Sequence, residues 1–372
     1  MKKLNLVCPI NHLGYGVVGT NLLKALSQKL DIALFPIGNI DAGKAYTKLI
    51  NKVISTGREF QDRSESPCLR VWHEFDLATR IGSGPYYAFP FFELNQLDNI
   101  RINHLASTDG IIVASKWAQD ILNQYSPLVD KASVVPLGVD TSIFNHDTPT
   151  VTNKCIFFNC GKWEKRKGHD VLLEMFKKAF PVEGDVELWM LTSNPFLNEK
   201  TSQEWERYYT SDLRVKVYGR VNTQAGVANL MSQSNCGIFP SRAEGWNLEL
   251  LEMMAMGKHV IATNYSAHTE FCNEHNSRLI NITRLEQAQD DIFFDGSVGE
   301  WASLDGEPFD EGVDHMRNFY QQWQSDNAIT NKEGIKTAQE LSWDNTATQL
   351  EEVIYGSPSA EIIQDNAVTN QS

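Results

Sequence analysis

The chain has 372 residues, more than one compact domain ordinarily holds, and chain-size arguments point to two. Hydrophobic residues make up 42% and charged residues 22%, a balance that excludes an intrinsically disordered protein. A net charge of -14 argues against nucleic acid or an anionic membrane as the main partner, since both need broad basic surface. Any anion site must then be a local cluster of cations standing out from an acidic background.

The opening Met-Lys-Lys-Leu-Asn-Leu-Val-Cys-Pro-Ile carries no apolar core long enough for a signal peptide. No run of ~18 apolar residues follows, so no transmembrane segment is expected, and peripheral membrane contact is left open. Cys8, Cys68, Cys155, Cys160, Cys236 and Cys272 are scattered without a Cys-x-x-Cys pair. They read as buried free thiols in a reducing, cytoplasmic setting. The sequon at Asn281 carries little weight without an export signal.

Leu4–Ile10 reads as a strand and Thr20–Leu30 as a helix, with Leu22, Leu23, Leu26 and Leu30 on one side. Ile32–Ile37 is a second strand and Ala42–Ile54 a second helix. Leu69–Trp72, Ile111–Ala114 and Ser133–Pro136 are further strands, with a helix at Lys116–Gln124. After the polar stretch Asn145–Asn153 the pattern restarts. Strands at Cys155–Asn159, Val186–Thr192, Val215–Tyr218, Gly237–Pro240 and His259–Thr263 are predicted. Helices at Asp170–Phe180, Gln224–Ser232 and Leu248–Met256 fall between them. Ser342–Tyr355 is a last helix, capped by Ser342 and stopped by Gly356. Such alternation predicts parallel sheets wrapped by crossover helices, in two Rossmann-like α/β domains. The expected boundaries are 1–148, 149–341, a terminal helix at 342–356, and a disordered tail at 357–372.

Ligands of open α/β sheets bind where strand ends enter helices, which singles out three loops. The first follows the first strand, and its Gly14, Gly16 and Gly19 match G-x-G-x-x-G. The match is weak as a dinucleotide fingerprint, because the second strand ends at Ile37-Gly38 without the acid that would hold a ribose. A loop that lets backbone approach a ligand and a plain turn are both open. The second loop is Gly161-Lys162-Trp163-Glu164-Lys165-Arg166-Lys167-Gly168, with four cations in six residues. It is either a diphosphate site at a helix N-terminus or a solvated basic turn.

The third loop is Pro240-Ser241-Arg242-Ala243-Glu244-Gly245-Trp246-Asn247, leading into a helix that Asn247 caps and Gly257 closes. The helix is apolar almost all round, so it is expected to be mostly buried. Glu249 sits in its first turn, where the helix dipole favours it. Glu252 lies deeper and needs a partner, such as sugar hydroxyls.

Glu244 and Glu252 stand in E-x7-E spacing, and Pro-Ser-x-x-Glu-Gly-x-x-Leu-x-x-x-Glu-x-x-Ala-x-Gly runs on into Val260-Ile261-Ala262-Thr263. With the basic loop and Val135–Asp140, this sequence resembles the retaining glycosyltransferases of family four, glycosyl transferases group 1. The likeness covers most of the chain and is strongest from Val134 to Glu270. It implies a GT-B fold, an acceptor-side N-terminal domain, a donor-side C-terminal domain, and a terminal helix returning to the first domain. It also implies a nucleoside-diphosphate sugar as substrate, no separate cofactor, and a glycan, lipid or small-molecule acceptor.

Carried over residue by residue, the resemblance puts Glu252 on the ribose hydroxyls and Glu244 on the donor sugar. The backbone of Gly245, Trp246 and Asn247, with Leu248, belongs to the donor site. Lys162 and Lys167 hold the diphosphate, Lys162 standing where the family more often has Arg, and Gly14 and Gly16 close over the phosphates. The family's first-domain histidine is matched best by His73, with His12 and His104 as weaker candidates. Glu93 resembles an acidic position of some relatives but is given no role. The chain departs from the family at Gly257-Lys258-His259, where proline commonly occurs. No Asp-x-Asp is present, so Lys162 and Lys167 are expected to replace a metal in stabilising the leaving phosphate, with transfer of a hexose under retention. A sugar-nucleotide epimerase or phosphorylase of the same fold, and a non-catalytic sugar-binding protein, are the alternatives.

Overall fold

The computed structural model describes residues 1–58, 60–147, 152–290 and 292–356. The expected 148/149 boundary and the 357–372 tail lie outside them. Two parallel sheets are found. In the first, β1 (Lys3–Cys8), β2 (Asp31–Pro36), β3 (Cys68–Arg70), β4 (Tyr86–Ala88), β5 (Gly110–Val113) and β6 (Ala132–Val134) lie in the order β2-β1-β3-β4-β5-β6. The second holds β7 (Cys155–Gly161), β8 (Val186–Thr192), β9 (Val215–Tyr218), β10 (Cys236–Phe239), β11 (His259–Thr263) and β12 (Arg278–Ile280). Its order is β12-β11-β10-β7-β8-β9. An antiparallel hairpin follows, β13 (Leu285–Gln289) with β14 (Asp295–Ala302).

Helices cover both faces of these sheets, so the central strands are apolar on both sides. β8, Val-Glu-Leu-Trp-Met-Leu-Thr, is buried along its whole length. Strand order reverses at β1/β3 and at β7/β10. Those reversals open the crevices at strand ends where ligands of such sheets bind, and the three loops singled out above leave β1, β7 and β10.

One expectation is corrected here. The first helix starts at Gly14 rather than Thr20 and runs to Leu26. The glycines lie inside it, because side chains there would collide with the loop they cross. A Cβ at Gly16 would come 2.1 Å from Asn11 Oδ1, and one at Gly19 2.2 Å from the Pro9 carbonyl. Gly14 meets nothing within 4 Å, so it alone leaves open space at the helix N-terminus.

The chain's last described helix, Trp343–Tyr355, lies against the first sheet domain. The Thr346 hydroxyl donates to the Pro136 carbonyl at 2.8 Å, and the Tyr355 hydroxyl donates to the Lys3 carbonyl at 2.7 Å. Ser342 caps it by accepting from Asn345 N–H. The β13–β14 hairpin also reaches the first domain. Glu300 N–H donates to Asn95 Oδ1 at 2.7 Å, and Leu94 packs with Ala243, Ala288 and Trp301. Among the described residues no helix is long and apolar enough to cross a membrane.

Candidate functional site

The basic loop after β7 is anchored by an aromatic residue rather than floating in solvent. Trp163 is 1% exposed; its ring stacks on Trp205 with centroids 5.6 Å apart and packs against Tyr209. Gly168, at φ +74°, touches the Pro240 carbonyl so closely that a Cβ would lie 2.1 Å away. Only glycine permits both the left-handed turn and that contact. The close approach brings the β7 loop against the β10 loop. Of the four cations only Lys165 is exposed, while Arg166 and Lys167 are buried.

Those two converge on Glu244. Arg166 Nη1 lies 2.8 Å from one carboxylate oxygen and Lys167 Nζ 3.0 Å from the other. The Ser241 hydroxyl donates to Glu244 as well, at 2.8 Å. Burial alone would raise the Glu244 carboxyl, but Lys167 and Arg166 outweigh it and hold it well below the usual carboxylate range. Arg166 also donates to Glu164 at 2.7 Å and to the Ala243 carbonyl at 2.8 Å. Lys162 reaches Glu164 from the other side, at 2.7 Å. It remains one-third exposed there, with its ammonium over the rings of Phe293 (4.8 Å) and Phe196 (5.4 Å).

The helix Leu248–Ala255 leaves the other loop. Asn247 caps it from a left-handed backbone conformation, φ 88°, by accepting from Leu250 N–H. Its amide also donates to His268 Nε2 at 2.9 Å. His268 Nδ1 lies 3.0 Å from the Thr263 carbonyl, which assigns the proton to Nδ1. Burial lowers this imidazole to about 4, so it is neutral and serves to hold Asn247. Trp246 is buried against Phe271, and Leu248 is half-buried. A Cβ on Gly245 would come 2.8 Å from Phe91 of the first domain, so the two domains meet there.

Glu252 differs from Glu244. It is 7% exposed, and among the described residues its carboxylate has neither a hydrogen bond nor an ion pair. Burial, with the neighbouring charge of Glu249, pushes it well above the usual range. Its oxygens keep a narrow opening to solvent, and holding a carboxylate so deep without a protein partner is costly.

Across the cleft, His73 packs between Tyr15, Trp72 and Phe75, its ring stacked on Phe75 at 5.0 Å. Burial and the nearby charge of Lys162 lower it to about 4. The charge of Lys162, on the second domain, thus acts on His73 of the first. His12 faces Asp41 at 3.6 Å. His104 accepts from Leu77 N–H at 3.2 Å through Nδ1, a structural bond. Glu93 stands 3.8 Å from Arg166, and burial raises it to about 7 against the pull of Arg166. Lys162, Lys167, Glu244 and Glu252 therefore gather on the second domain, with Gly14, Gly16 and His73 on the first. Sequence reasoning missed Glu164, Arg166 and His268. The only signal for the first two was the run itself, in which an apolar tryptophan interrupts the charges.

Residues 154–292 match the family model described as glycosyl transferases group 1. The MMP α-(1→4)-mannosyltransferase of Mycolicibacterium hassiacum is 30% identical over 166 residues, 43% of this chain and 38% of that protein. The chain thus spans under two-fifths of that relative's length. Sucrose-phosphate synthase from Thermosynechococcus elongatus superposes with a TM-score of 0.66 at 16% identity, over 95% of this chain and 98% of that one. Anabaena HepE, solved with UDP and glucose, gives 0.65 at 14% identity over 95% and 99%.

The fold is GT-B.

In a GT-B protein the two Rossmann-like domains face each other across a cleft, and here the loops after β1, β7 and β10 line it. The arrangement offers fixed cations, a buried carboxylate without a partner, and a neutral imidazole opposite them. Such a set can hold an anion and hydrogen-bond hydroxyl groups.

Proposed function

We propose that this chain is a glycosyltransferase that moves a hexose from a nucleoside-diphosphate sugar to an acceptor hydroxyl, with retention and without a metal. The observation that carries the reading is the unpartnered, buried Glu252 on the helix that leaves the β10 loop, the loop that Gly168 brings against the Lys162–Lys167 cations. A buried carboxylate with no protein partner is stabilised by hydrogen bonds from ligand hydroxyls, and ribose supplies two. In this reading Lys162 and Lys167 take the diphosphate attached to that ribose. As the bond from the anomeric carbon to the phosphate oxygen breaks, its electron pair passes to the diphosphate, and the fixed cations stabilise that charge.

Glu244 is engaged by Arg166, Lys167 and Ser241, so in this reading it aims Lys167 and offers its remaining lone pairs to the donor sugar. His73, neutral across the physiological range, accepts or donates one hydrogen bond beside the reacting carbon. UDP is the nucleotide to try first, because HepE was solved with UDP and with UDP-glucose. Donor turnover by the full chain, with and without a chelator, tests the proposal. Nucleoside diphosphate should be released only with glycosidic product, at the same rate in both. Activity that vanishes with chelator and returns with manganese would overturn the metal-independent part.

A further inference from the structure

A cavity of about 500 Å³ opens where the β13–β14 hairpin faces the Leu94–Arg101 segment of the first domain. That volume falls in the ~300–1,000 Å³ range of small-molecule sites. Its walls include Asp98, Arg101, Phe293, Asp295 and Ser297. Two of them reach the candidate site. The Phe293 ring lies 4.8 Å from Lys162 Nζ, while the Arg101 guanidinium lies 5.5 Å from the ring of Phe75, which stacks on His73. The cavity therefore adjoins the donor cation on one side and the first-domain histidine on the other.

Phe75 and Phe293 are each 44% exposed, so two aromatic faces meet solvent at this cleft. An aromatic face beside carboxylates and a hydroxyl recognises sugars, since the ring packs on C–H groups while the polar atoms bond hydroxyls. Charge narrows the class further. Arg101 is occupied by Glu74, at 2.9 Å, and by Asp98, so its cation is already balanced. Asp295 then leaves the wall net negative, which disfavours a phosphorylated ligand. We propose that this cavity is the acceptor subsite and takes a neutral glycoside, with the hairpin of the donor domain as its outer wall. The inference rests on the glycosyltransferase reading above.

Saturation-transfer NMR on the full chain without nucleotide tests it. The probes are methyl α-mannoside, methyl α-glucoside and maltose, with mannose 6-phosphate and glucose 6-phosphate alongside. At least one neutral glycoside should bind saturably, and more tightly than the phosphates. Ser297→Trp, which fills the cavity from an exposed position, and Phe293→Ala, which removes a platform, should each weaken binding tenfold or more. Circular dichroism checks that each variant is folded, and Phe293→Ala suffices should Ser297→Trp fail to fold. If no neutral glycoside saturates, if the phosphates bind more tightly, or if folded variants bind like the parent, the proposal is wrong. With no nucleotide in the tube, such failure leaves the donor assignment untouched. Retained glycoside binding in a chain that ignores nucleoside diphosphates would instead overturn the donor reading.

Discussion

Glu244→Gln removes one negative charge from between two buried cations. At 2.8 and 3.0 Å, each pair is worth about 6 kcal/mol of attraction at an effective dielectric near 20. Much of that offsets the desolvation of the partners. Removing one member of a buried pair typically costs about 3–5 kcal/mol, because the other charges stay buried without compensation. For a domain of this size, each kcal/mol moves the melting temperature roughly 2–4 °C, so a fall of roughly 6–20 °C is expected in calorimetry at pH 7.5. Glu252→Gln should do the opposite. Its carboxyl is raised in the folded state, so its contribution to stability is complete below the unfolded pKa and is lost as pH rises through the folded one. The glutamine variant should match or exceed the parent above pH 6, and its stability should fall less with rising pH. Both variants should lose transferase activity. A Glu244→Gln protein as stable as the parent, or a Glu252→Gln protein much less stable, would refute the division of roles between the two glutamates.

Further outcomes follow from the same geometry. Lys167→Ala should lower kcat/KM for the donor about 10²-fold or more, the usual loss when one charge-stabilising donor is removed, as steady-state kinetics will show. Burial raises Glu93 to about 7, so part of the stability is lost as pH rises from about 4.5 to about 7. Melting curves of Glu93→Gln across that window should be flatter than the parent's. Burial and Lys162 hold His73 near 4. His73→Asn should then lower kcat about 10²-fold without moving any limb of the rate profile between pH 5.5 and 8. Gly16→Ala drives a methyl group into Asn11 and should destabilise by roughly 1–3 kcal/mol or more. Gly14→Ala should leave the melting temperature nearly unchanged but weaken nucleoside-diphosphate binding, measured by titration calorimetry.

Much of this was legible in the chain. Val186–Thr192, Val215–Tyr218, Gln224–Ser232 and His259–Thr263 occupy the expected spans, because β-branched apolar runs bounded by polar or turn residues, and a Thr-capped helix, carry clear local signals. The cap at Asn247 was legible too. The first helix was misplaced since glycines read as breakers, whereas Gly16 and Gly19 are tolerated for the space they leave to Asn11 and Pro9. β4, three residues at Tyr86–Ala88 directly after the Gly82-Ser83-Gly84-Pro85 turn sequence, was not read as a strand. The β13–β14 hairpin begins Leu-Glu-Gln-Ala-Gln, a polar sequence whose pairing is visible only once Trp301 and Leu94 come together. In the basic loop, the run of charges alone did not say which cations are buried. Trp163 decides that, by pinning the loop so that Arg166 and Lys167 turn inward to Glu244 while Lys165 turns out.

The central claim is that the cleft holds a nucleoside diphosphate between Lys162, Lys167 and Glu252. Titrating the full chain with UDP, GDP and ADP while following the melting temperature tests it directly, since a ligand that prefers the folded state raises its stability. At least one diphosphate should raise the melting temperature saturably in the parent, less so in Lys167→Ala and Glu252→Gln, with its nucleoside having little effect. No shift with any of the three, or an equal shift in parent and both variants, would contradict it.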